Sequence, residues 1–143
     1  MTDSTSRRTM MQTLLASLAL PAVAGATPEA ADPTEVLSPA KAKFTPHPFG
    51  DQRVFFEGAT DQLKNLTVGS IALKAGQEPH PPHQHPEEEI LLVTEGSGEI
   101  SIEGKKTPVK PGDIMYSAGN RTHGVKAAAN SPLTFYYFKW MGK

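Results

Sequence analysis

Residues 76–96 read Gly-Gln-Glu-Pro-His-Pro-Pro-His-Gln-His-Pro-Glu-Glu-Glu-Ile-Leu-Leu-Val-Thr-Glu-Gly. The chain holds five histidines, and His80, His83 and His85 all fall in this stretch. In an extended chain successive side chains alternate faces, so His83 and His85 point the same way. Glu87, Glu89, Leu91 and Val93 share that parity. Two imidazoles and a carboxylate on one face, followed by apolar side chains, suit a borderline divalent metal beside a core. Parity leaves Glu87 and Glu89 as rivals for the carboxylate, because Pro86 interrupts strand pairing nearby. A further ligand has to come from elsewhere, and His123 is the well-placed candidate late in the chain. The competing reading of the cluster is a Pro/His-rich loop without a metal.

Outward from this stretch, short β-favouring runs recur. They are residues 53–56, 66–73, 89–94, 99–103, 107–110, 114–116, 123–127 and 133–140. Residues 99–103 alternate polar and apolar in strict period two, and Pro111-Gly112-Asp113 is a turn signal. No segment keeps a helical period. The 13 prolines and 12 glycines also favour many turns over long helices. About eight closely spaced strands predict an all-β sandwich or barrel. Cysteine is absent, which excludes a disulfide scaffold and a thiolate metal site. The net charge of −1 carries no basic face of the kind that binds nucleic acid.

The amino-terminal residues read as an export signal. Residues 13–26 are apolar and Ala/Leu-rich, too short for a membrane anchor, and end in Ala24-Gly25-Ala26. Ser6-Arg7-Arg8 followed by Met10 and Met11 resembles a twin-arginine signal, with Gln12 where Lys is frequent. Cleavage is expected after Ala26. It removes two of the 14 basic and one of the 15 acidic residues, leaving a net charge of −2 and no apolar run long enough to span a membrane. Residues 27–43, rich in Ala, Pro and Glu, read as a flexible linker, and 44–143 as the folded domain.

The motifs resemble those of the cupin superfamily. Its first motif is matched by Gly76, a six-residue spacer, His83-Gln84-His85, three residues, Glu89, six residues and Gly96. The usual leading spacer is one residue shorter. The second motif is matched by Gly112, five residues, Ala118 where Pro is usual, four residues and His123. The resemblance spans roughly residues 50–140. It implies a double-stranded β-helix (jelly-roll) barrel, selects Glu89 over Glu87, and assigns His83, His85, Glu89 and His123 as the ligands of one divalent metal. Manganese or iron is favoured, because a twin-arginine substrate crosses the membrane folded and already loaded. The donor set also suits zinc, nickel, cobalt or copper.

The expected function is an exported metalloenzyme acting on a small oxygenated organic molecule, with dioxygenase-like chemistry favoured. The alternatives are a non-catalytic metal-, sugar- or small-ligand-binding cupin, and a metal-dependent isomerase or lyase. Tyr116, Tyr137 and Arg53 are the candidate acid/base or substrate-orienting residues. Tyr136 and Arg121 are further possibilities, with a core or surface role as the default. His80 is expected to be exposed, His47 structural or free, and Glu87 and Glu88 a solvated rim. The aromatic run 135–140 is apolar on both faces and suggests a homodimer.

Overall fold

The structure, a computed structural model, describes residues 34–143, so the export signal and the first part of the linker lie outside the described residues. Among the described residues there are nine strands: β1 (Lys43–His47), β2 (Gly50–Gly58), β3 (Leu63–Leu73), β4 (Glu88–Gly96), β5 (Gly98–Ile102), β6 (Lys105–Val109), β7 (Ile114–Ser117), β8 (His123–Ala127) and β9 (Leu133–Gly142). They form a six-stranded sheet, ordered β1-β2-β3-β9-β4-β7, and a three-stranded sheet, β6-β5-β8. Every pairing is antiparallel. This is the all-β jelly-roll barrel that the sequence implied.

The core lies between the sheets. Leu73, Val93 and Leu133 are less than 2% exposed, and Leu91, Ile100, Met115, Val125 and Phe135 close around them. Each fully buried aliphatic side chain contributes about 1.5–3 kcal/mol from removal of apolar surface from water. Register puts Glu89, Leu91 and Val93 of β4 opposite Lys139, Tyr137 and Phe135 of β9. Across β7, Glu89 faces Ser117 and Leu91 faces Met115. One inward row therefore runs from apolar to polar along the barrel.

The structure departs from the sequence reading in three places. First, β1 adds a strand where Lys-Phe-Thr-Pro-His shows little alternation; it is an edge strand, so Pro46 has no second neighbour to disappoint. Second, β2 is longer than residues 53–56, with a register shift between Val54 and Phe56 that hides its period. Third, strand pairing does not run continuously through His83–Glu89. Pro81, Pro82 and Pro86 lack N–H donors, and the segment meets β8 only through an isolated bridge between His83 and His123.

Candidate metal centre

That bridge is what assembles the site. The His83 N–H donates to the His123 carbonyl and the His123 N–H to the His83 carbonyl, both at 2.9 Å. The second half of the histidine loop is tied down by the Asn120 N–H, which donates to the His85 carbonyl at 2.7 Å. The loop after β7 makes this contact with Asn120 in the left-handed region (φ 60°), a conformation asparagine tolerates. A Cβ on Gly119 would run into the Pro86 carbonyl, so the close approach requires glycine there. Gly119-Asn120, after Ala118, build this turn.

The ligand-capable nitrogens of His83, His85 and His123 all lie within 4.8 Å of one another. Glu89 joins them: its Oε2 is 3.1 Å from His85 Nε2 and 2.9 Å from His123 Nε2. The opposite nitrogens are committed outward. His85 Nδ1 donates to the Glu87 carbonyl at 3.1 Å, with the Glu87 carboxylate 3.2 Å away. His123 Nδ1 donates to the Arg121 carbonyl at 2.8 Å and has the Ser117 hydroxyl at 3.1 Å. Glu87, the parity rival, thus supports His85 from behind and is itself held by Asn65 Nδ2 at 3.1 Å. Outer hydrogen bonds of this kind fix the tautomer and aim of a metal-binding imidazole.

The electrostatics fit a cation. Burial lowers the His83 pKa to about 4, assisted by the neighbouring His80, His123 and His85, so its ring is neutral at pH 7 with a lone pair to offer. Burial pushes Glu89 up, but the hydrogen bonds and charges of His123 and His85 outweigh it and hold the carboxyl below the usual range. The hydrogen bond that the Glu89 carboxylate accepts raises His123, against the opposing effect of burial. His83 Nδ1 is buried without a hydrogen-bond partner, a state that native structures rarely leave uncompensated. Two Nε2 atoms converging on one carboxylate oxygen, with both Nδ1–H groups spent elsewhere, need a proton or a metal ion between them. The residues present therefore fit a divalent ion.

All four side chains line a cavity of about 370 Å³. Leu91, Met115, Val125 and Phe135 form its apolar wall. Of the candidate acid/base groups, only Tyr137 reaches it. Tyr137 is 8% exposed, its hydroxyl accepts from Gln52 Nε2 at 2.8 Å, and burial raises its pKa. A Cβ on Gly69 would overlap the Tyr137 hydroxyl and ring, so glycine makes room for the phenol.

Tyr116 lies outside the cavity, 54% exposed, and donates to Glu88 at 2.9 Å. Arg53 is also outside, with its guanidinium 4.9 Å above the Phe44 ring. Tyr136 packs on Phe55 on that outer face, 5.8 Å between centroids. Arg121 is exposed and serves through its carbonyl. His80 is exposed as expected, yet its ring meets His83 edge-on at 3.9 Å and lines the cavity mouth. His47 Nε2 bonds Gln52 Oε1 at 3.1 Å, and its ring stacks on Phe49.

Sequence reasoning missed Gln52, Ser117 and Lys139. Lys139 was legible, because it keeps the parity of the buried Leu133, Phe135 and Tyr137. Ser117 lay one residue beyond the predicted strand, and Gln52 one residue before another.

Residues 69–139 match the Cupin domain family. No curated protein matches the chain. Among solved structures, a cupin protein from Bacteroides fragilis is 30% identical, with a TM-score of 0.51, over 53% of this chain; the chain spans only 65% of that protein's length. A predicted oxalate decarboxylase from Thermotoga maritima is 18% identical with a TM-score of 0.61, over 75% of this chain and 99% of its own. The polyketide cyclase RemF from Streptomyces resistomycificus is 17% identical with a TM-score of 0.59, over 74% of this chain and 78% of its own. The last two likenesses are of fold, and their differing descriptions show how little the fold fixes the reaction. The barrel and this match agree: residues 69–139 are similar to the Cupin domain family, and three histidines within them are able to hold a metal.

Proposed function

We propose that this protein is an exported cupin metalloenzyme. It holds one divalent ion at His83, His85, Glu89 and His123 and acts on a small oxygenated organic substrate, with dioxygenase-like chemistry as the favoured reaction. The observation that carries the reading is that all four donors face a 370 Å³ cavity rather than a closed protein interior. A site with an open side is what separates a catalytic from a structural metal. A bound ion there supplies Lewis acidity to a coordinated oxygen. The chain's own residues do the rest. Glu87, Ser117 and the Arg121 carbonyl hold the imidazoles in one orientation, and the apolar wall excludes bulk water. Tyr137 places a hydroxyl within the cavity, a group that pure shape recognition does not need.

Oxygen uptake with small enols, diketones and sugar acids, on manganese- or iron-loaded protein, tests the reaction. Uptake with one of these classes and its loss in His123→Ala are expected. Conversion without oxygen uptake points to an isomerase or lyase, and ligand binding without turnover to a binding protein; either overturns the dioxygenase reading. Manganese or iron follows from export of the folded, loaded protein. Elemental analysis of protein taken from its native periplasm is expected to find one of them, and a full equivalent of copper or zinc instead contradicts it. Replacement of Arg7 and Arg8 by Lys should retain the precursor in the cytoplasm; unchanged export excludes the twin-arginine route. A homodimer is proposed through the outer face of the larger sheet. There Ile114, Tyr116 and Phe138 are 66%, 54% and 36% exposed, and Ile90 joins Tyr116 to Phe138 in register. Light scattering that returns a monomer mass contradicts it.

A further inference from the structure

Lys139 is the one lysine or arginine among the residues that line the cavity. It sits on the inner face of β9, between Glu89 on β4 and Thr67 on β3. Residues directly opposite on neighbouring strands have Cβ atoms about 5 Å apart, so Lys139 is the cross-strand neighbour of Glu89 in the proposed metal centre. Yet it has no hydrogen bond and no ion pair among the described residues. The two carboxylates that also line the cavity do not satisfy it. Glu89 turns its oxygen to His85 and His123, and Glu57, opposite Thr67 at the exposed rim, makes no ion pair. A half-buried lysine that lines the cavity, whose charge is felt by Glu87 and His123 but which makes no ion pair, is a group placed for something that enters the cavity.

The neighbouring donor points the same way. His47 Nε2 donates to Gln52 Oε1, which fixes the amide so that Gln52 Nε2 donates to Tyr137. The phenol oxygen is thereby used as an acceptor, and its own proton is left to donate into the cavity. Tyr137 and Lys139 are two residues apart on one face of β9, so a hydroxyl donor and a lysine line the same cavity.

From this arrangement we infer that the cavity takes a small organic acid, its carboxylate held by the Lys139 ammonium with the Tyr137 hydroxyl alongside and its remaining oxygens toward the histidine cluster. The cavity volume is at the small end of the range for small-molecule pockets, about 300–1,000 Å³, which suits an acid of a few carbons. The inference deepens the proposed function by naming the substrate class. Its cationic half belongs to this chain and does not depend on the metal.

The test is calorimetric titration with pyruvate and malonate and with their neutral amides, pyruvamide and malonamide. It is run on wild type, Lys139→Met and Lys139→Arg, each both metal-depleted and manganese-loaded. At least one acid should bind wild type more tightly than its amide. Lys139→Met should weaken that acid by about tenfold or more, the worth of one charge-assisted hydrogen bond, and leave the amide unchanged. Lys139→Arg keeps the charge and should retain most of the affinity. The same Lys139 dependence in metal-depleted protein supports the inference even if no metal proves to be native. Metal-dependent binding that ignores Lys139→Met overturns the inference and leaves the metal centre standing. Equal binding of acid and amide, or binding of neither acid to wild type, also overturns it.

Discussion

On β4 and β9 the same inward parity carries Val93 opposite Phe135, then Leu91 opposite Tyr137, then Glu89 opposite Lys139. The first pair is sealed, at 0% and 2% exposure; the last lines the cavity beside three histidines. The strands and the face are shared, so neither strand propensity nor periodicity separates core from site. What separates them is distance along the strand, measured from the closed end, where Leu73 and Leu133 fill the barrel, to the end that the 82–86 loop and β8 cover. A small barrel of about 100 residues has little apolar surface to bury. Placing the polar cluster at one end leaves the other end to supply the stability.

The two ends should therefore break independently. The largest effect is expected at the closed end. Leu133→Ala opens a cavity in a fully buried site and should cost about 2–5 kcal/mol by chemical denaturation, with metal content unchanged. A matching loss of metal would show that the ends are coupled. At the polar end, Glu87→Gln and Ser117→Ala remove the outer partners of His85 and His123, and each should weaken metal affinity by about 10- to 100-fold with little change in denaturation midpoint.

The pH response sharpens the same contrast. His83 titrates at about 4 in the folded chain against 6.5 unfolded. The unfolded state then binds more protons between these values, so the metal-free protein should lose stability as pH falls through 6.5 toward 4. His123 has the opposite sign: its raised pKa contributes stability that is present below 6.5 and fades as pH rises through the folded value. Thermal melts of chelator-treated wild type and His83→Gln should differ in their acid limb, with the variant flatter; parallel curves contradict the placement of His83. The smallest effect is expected outside the barrel. Tyr116→Phe loses one exposed hydrogen bond to Glu88 and should change stability by less than about 0.5 kcal/mol and metal affinity not at all.

Much of this was legible in the sequence. The alternation in 99–103 and the short apolar runs gave an all-β chain, and the His83/His85 spacing gave the cluster. Parity alone could not choose between Glu87 and Glu89, and the family resemblance made that choice. The structure explains why both looked suitable, since both touch His85, one from each side. The isolated bridge was not legible, because pairing between His83 and His123 joins segments 40 residues apart and leaves no local pattern. The same holds for the Gln52–Tyr137 bond, which spans β2 and β9. Tyr116 and Tyr137 could not be told apart by residue type; the strand each occupies, and its face, decide that one touches solvent and the other the cavity.

The central claim is that the polar end of the barrel is a divalent-metal centre built on the His83–His123 bridge. Metal content per chain, measured on wild type, His83→Ala and His123→Ala after dialysis against excess manganese and then metal-free buffer, tests it most directly. The account predicts close to one ion per wild-type chain and almost none in either variant, with both variants still folded by circular dichroism. Equal metal content in all three proteins, or none in wild type, would contradict it.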